Sequence, residues 1–94
     1  MKIPKSVNVL GEKYKVKILD EIPDHPYAVG LCDYNAREIT LLKSLKGKDK
    51  LATFLHEVNH ATLWESGAGQ TLSRDLTEVI VDTLAKVYVK NFMK

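Results

Sequence analysis

Two histidines four residues apart, His56 and His60, with Glu57 beside the first, constrain this chain more than any other feature. On a helix, residues four apart lie one above the other, so both imidazoles point the same way. The flanking sequence supports a helix. Asp49-Lys50 opens a run of helix formers, and Gly67 follows its natural end. Leu51, Phe54, Leu55, Val58, Ala61 and Thr62 fall on one stripe, roughly opposite the histidine pair. Such a helix buries one face in a core and presents His56 and His60 to something else. Two imidazoles so placed can share one Zn²⁺. Glu57 lies one position round, where it can act on water at the metal and not on the metal itself.

The rest of the composition narrows the setting. Ninety-four residues make one domain, residues 1–94, with a modest core. A net charge of +2, from fourteen basic and twelve acidic residues, is too balanced to make nucleic acid or an anionic membrane the main partner. The single cysteine, Cys32, excludes an internal disulfide and fits a reducing compartment. It reads as a small buried strand residue. The first residues lack the apolar core of a secretory signal, and no apolar run approaches the roughly 20 residues of a membrane span. A cytoplasmic location is therefore expected.

Taken in order, the chain reads as strands followed by helices. Ser6 to Leu10 predicts a strand, Gly11-Glu12 a turn, and Tyr14 to Ile18 a second strand, forming a hairpin. Tyr14, Val16 and Ile18 are expected to face a core, and Lys13, Lys15 and Lys17 water. Asp20 to Gly30 carries three turn-forming residues, Pro23, Pro26 and Gly30, and is irregular. His25 and Tyr27 lie there, either able to reach a nearby cleft and donate a hydrogen bond to a reaction intermediate. Leu31 to Asp33 and Glu38 to Leu42 predict two further strands joined by Tyr34-Asn35-Ala36-Arg37. The motif helix follows from about Asp49 to Ser66. Gly67 to Gln70 breaks it, and Thr71 or Ser73 can cap a second helix from about Arg74 to Phe92.

A catalytic zinc site takes three protein ligands and keeps a fourth position open. The second helix offers Glu78 and, one turn later, Asp82 on the same face, beside Ala85 and Val89. Carboxylates beside an apolar strip are costly unless paired or bound to metal. Glu78 is therefore the expected third ligand, with Asp82 orienting a ligand histidine from behind. A solvated charged face, with Asp75 and Lys86 nearby, is the alternative. Glu65 is the rival ligand, but it is rotated well away from the histidines.

Three segments together, Arg37 to Leu41, His56-Glu-Val-Asn-His60 and Glu78-Val-Ile-Val-Asp82, resemble the gluzincin branch of zinc peptidases in its smallest forms. These include the minimal archaeal gluzincins and the ImmA/IrrE-like peptidases of mobile elements. The resemblance implies an α+β fold. It would be a small zincin-like domain with a mixed or antiparallel sheet of about four strands, packed on an active-site helix and a C-terminal glutamate helix. It further implies His56, His60 and Glu78 as ligands of one Zn²⁺, Glu57 as general base and Asp82 as partner of a ligand histidine. The strand Glu38, Ile39, Thr40, Leu41 and Leu42 would be the cleft edge that pairs with an extended peptide. Tyr88 joins His25 as a candidate oxyanion donor. Minimal gluzincins can also be latent, with a terminal segment such as Asn91 to Lys94 in the cleft.

The expected function is a zinc-dependent endopeptidase acting on peptide or protein substrates through a water activated by Glu57. Two alternatives compete with it. One is a zinc-binding module, catalytically weak or latent, that grips a peptide or protein partner without turnover. The other is a DNA-associated regulator using the lysines, against which the charge balance argues.

Overall fold

Period-two alternation in the first half and helical periodicity in the second become four strands and then two helices. The computed structural model describes residues 2–92. The strands are β1 (Ser6–Val9), β2 (Glu12–Leu19), β3 (Gly30–Asp33) and β4 (Glu38–Leu42); the helices are α1 (Gly47–Glu65) and α2 (Arg74–Phe92), with a short 3₁₀ turn at Ala68–Gln70 between them. This is a small α+β domain with a mixed sheet.

β1 and β2 form a hairpin whose tight turn is Leu10-Gly11, one residue earlier than the sequence predicts. Both turn residues have positive φ, 51° and 89°, as a two-residue hairpin turn requires. Asn8 Oδ1 accepts the Gly11 N–H at 2.8 Å and closes it. The second hairpin, β3–β4, turns through Tyr34 to Arg37. There Asp33 Oδ1 accepts the N–H groups of Asn35 and Ala36 at 3.0 and 3.1 Å.

The sheet order is β1-β2-β4-β3, with β2 and β4 parallel and both outer pairs antiparallel. This corrects one expectation. Glu38, Ile39, Thr40, Leu41 and Leu42 do not form an edge, because β4 is hydrogen-bonded on both sides. The chain leaves β2, runs outward to β3 and turns back inward, so the strand that comes first in sequence ends up outside.

α1 packs on the sheet through Leu51, Phe54 and Ala61, against Val9, Tyr14, Ile39 and Leu41. Tyr14 is fully buried, and its hydroxyl donates to Glu65 Oε2 at 2.6 Å. Glu65 also accepts from Arg37 Nε at 3.2 Å. The rival metal ligand is thus committed to joining the sheet to the end of α1. Of the expected core residues on β2, Val16 is half-buried and Ile18 is 41% exposed, because Ile18 lies beyond the stretch of β2 that pairs with β1.

α2 packs on α1 through Val81 and Ala85, both buried. Ser73 Oγ accepts the Leu76 N–H at 3.1 Å and caps it. Asn59 Nδ2, from the middle of the histidine motif, donates to Val81 O at 3.3 Å and ties the two helices at the level of the site. Of the proposed occluding tail, Asn91 continues α2, while Met93 and Lys94 lie outside the described residues. No helix among the described residues is long and apolar enough to cross a membrane.

Candidate metal centre

α1 brings the two imidazoles together, and α2 lays Glu78 across them. His60 Nε2 lies 2.9 Å from Glu78 Oε1, His56 Nε2 3.4 Å from Glu78 Oε2, and the two Nε2 atoms 3.2 Å apart. Tetrahedral ligands about 2.0–2.1 Å from one zinc ion stand roughly 3.3 Å from one another. The two imidazole nitrogens have the spacing of two corners of such a tetrahedron, Glu78 spans them with one oxygen toward each, and one ligand atom from each of the three residues lies within 4.8 Å of the other two. They are a group of His, Cys, Asp or Glu residues able to hold a metal ion. Two neutral nitrogen donors and one carboxylate suit zinc.

Each histidine turns its other nitrogen to a supporting group. His56 Nδ1 faces Asp82 Oδ1 at 3.8 Å, within electrostatic reach but too long for a direct hydrogen bond. Asp82 is itself held by Lys86 Nζ at 2.7 Å, and that contact keeps its carboxyl below the ordinary range. His60 Nδ1 faces the Tyr34 hydroxyl at 3.4 Å. Were Nε2 to ligate a metal, Nδ1 would carry the proton and donate to Tyr34 Oη. Burial holds the His60 imidazole below its ordinary pKa, against the pull of Glu78, so the ring is neutral and ready to ligate.

Tyr34 is the residue that sequence reasoning missed. It read as an ordinary turn residue, because its partners lie 26 and 30 positions away. Its ring stacks on Trp64 with centroids 4.6 Å apart and planes 8° from parallel. Burial, with the nearby acidic groups, pushes its phenol up to about 12, so it stays a donor at neutral pH. The available signal was weak: an aromatic in a hairpin loop with a tryptophan in the last turn of the next helix.

Glu57 is buried at 8% exposure, although the stripe placed it off the apolar face. Burial, and then the charge of Glu78, push its carboxyl up to about 7. It lies against the start of β3. A Cβ on Gly30 would come within 2.6 Å of Thr53 Cγ2 and 3.0 Å of Glu57 Oε2, so only glycine lets the strand approach this closely.

That strand is the true edge of the sheet. Leu42 N–H donates to Val29 O at 2.9 Å, which fixes the hydrogen-bonded pairs at Leu31/Thr40 and Asp33/Glu38. The N–H and C=O groups of Gly30 and Cys32 therefore turn outward, unpaired within the sheet. Both residues line a cavity of about 580 Å³ that also touches His56, Glu57, His60 and Glu78. A second hollow of about 430 Å³, bordered by Tyr27, Val29 and Asp82, shares Gly30, His56 and Glu57 with the first. The cleft thus continues on both sides of the histidine pair. Burial raises the Cys32 thiol to about 12, which makes it a poor nucleophile or ligand.

The two expected oxyanion donors part company. His25 lines the larger cavity beside the cluster. Tyr88 does not reach it: ten residues beyond Glu78 on one helix is about 15 Å along the axis. No known protein family matches the chain, and no curated protein or solved structure matches it either.

Proposed function

We propose that this chain is a zinc-dependent endopeptidase of the small gluzincin kind, acting on extended peptide segments. The observation that carries the reading is the meeting of three possible ligands, His56, His60 and Glu78, with their ligand atoms within 4.8 Å of one another, beside a buried carboxylate. His56, His60 and Glu78 would hold one Zn²⁺, which would supply a Lewis acid and make water at the site easier to deprotonate near neutral pH. Glu57, buried beside them, would take the proton as water adds to the peptide carbonyl and pass it to the leaving amine as the C–N bond breaks. Substrate backbone pairs with the outward groups of Gly30 and Cys32, adding a strand to β3. A cleft open on both sides of the histidines suits cleavage within a chain better than trimming of an end.

Metal analysis and a cleavage panel test this together. Purified protein should carry one zinc, lost on His56→Ala. It should cut unfolded proteins in a chelator-sensitive way. Glu57→Ala should keep zinc and lose nearly all cleavage, roughly 100-fold or more. Undiminished cleavage by that variant would refute the mechanism.

A zinc module that grips a peptide without turnover is the second reading. The Tyr34 hydroxyl favours it, since it lies against His60 Nδ1, on the side of that ring turned away from Glu78. Reproducible chelator-sensitive cleavage would eliminate it.

A further inference from the structure

α1 and α2 run antiparallel, and their facing residues keep step. His56 faces Asp82, and one turn on His60 faces Glu78. A further turn in the same direction brings Trp64 level with Arg74, and both line the larger cavity. Among the described residues Arg74 is the one lysine or arginine on that lining. Its guanidinium makes no ion pair with any of them. Glu78, one turn away on the same face, does not take it, since its two oxygens turn to His60 and His56 at 2.9 and 3.4 Å. The other end of the cleft differs. Lys86, the cation bordering the smaller hollow, is held by Asp82 at 2.7 Å.

We infer that Arg74 selects the substrate by taking the carboxylate of an aspartate or glutamate side chain in the bound peptide. The inference rests on the peptide cleft proposed above. A guanidinium presents paired N–H groups that match the two oxygens of a carboxylate. Leu63, Trp64 and Leu72, all half-buried, line the same end of the cavity. Their apolar surface keeps water from the contact and strengthens it. A peptide paired with Gly30 and Cys32 carries two kinds of carboxylate, those of its side chains and the one at its terminus. A cleft open on both sides of the histidines favours the side chain. One helical turn is about 6 Å, and an extended chain advances about 3.3 Å per residue. The acidic residue therefore falls within about three residues of the bond cut, always on the same side of it.

Extended peptides carrying one Glu, Gln or Lys at varied positions, each with a free and an amidated C-terminus, test this on the zinc-loaded full chain. Two quantities are read: kcat/KM for the wild type, and Kd for Glu57→Ala, which is expected to keep zinc without turnover. Glu peptides should exceed Gln peptides about tenfold in both, with Lys peptides weakest. Arg74→Gln should bring the Glu-to-Gln ratio close to one while zinc content and far-UV circular dichroism stay as in the wild type, and Arg74→Lys should restore part of it. Cleavage indifferent to the exchange of Glu for Gln, or a preference that survives Arg74→Gln, would overturn the inference and leave the peptidase reading standing. A preference that follows the free C-terminus instead of the side chain would overturn it as well. Charge-selective binding by Glu57→Ala without cleavage by the wild type would uphold the role of Arg74 and refute the peptidase. Neither cleavage nor binding would overturn both.

Discussion

Gly30 shows how much one missing methyl group decides. It lets the edge strand lie against Thr53 and Glu57 at distances a side chain forbids. Gly30→Ala should therefore push β3 from α1 and cost about 1–3 kcal/mol, read as a lower urea midpoint. Pairing it with Thr53→Ser, which removes the 2.6 Å contact, should recover part of the loss. Tyr34 is the second decisive residue. Tyr34→Phe keeps the stack on Trp64 but removes the acceptor for His60 Nδ1. Zinc affinity should fall about 10–100-fold in a competition titration, with the fold unchanged. The histidine pair, Glu57 and Glu78 were legible because helical spacing is local. Tyr34 was not, because a hairpin carries it onto a helix far along the chain. The burial of Glu57 was hidden as well: the stripe describes α1 alone and knows nothing of β3 lying across it.

Among the elements, all four strands and both helices were visible from periodicity and turn residues. Strand order was not, since alternation within a strand does not say which neighbours it takes. β4 did carry a hint. Ile39-Thr40-Leu41-Leu42 scarcely alternates, and Ile39, Thr40 and Leu41 are all buried, as suits an interior strand. α1 is fastened to the sheet at its C-terminal end by Glu65, which accepts from Tyr14 and Arg37. Those bonds, Tyr14 foremost, hold the Glu65 carboxyl below its ordinary value near 4.5. A carboxyl depressed in the folded state adds stability above its unfolded pKa and loses it as pH falls through the folded one. The wild type should therefore lose melting temperature between pH 5 and pH 3 more steeply than Glu65→Gln, compared by calorimetry.

At the scale of the whole molecule, 94 residues leave little reserve stability. Metal binding should then dominate the melting temperature. Zinc at about 1,000 times its dissociation constant adds roughly 4 kcal/mol. In a domain this size that is more than 10 °C. Thermal scans with and without zinc should show that rise, and Glu78→Gln should abolish most of it.

The helical hairpin carries a consequence for assembly. The three candidate metal ligands fall between residues 56 and 78, on two helices joined by a short turn, while the sheet needs partners drawn from both ends of residues 6–42. Contacts near in sequence form first, and those spanning long loops come later. A divalent ion can thus clasp the C-terminal half of a newly made chain before its N-terminal strands have found their order. On the proposed reading the cation would be a folding template as well as a reagent.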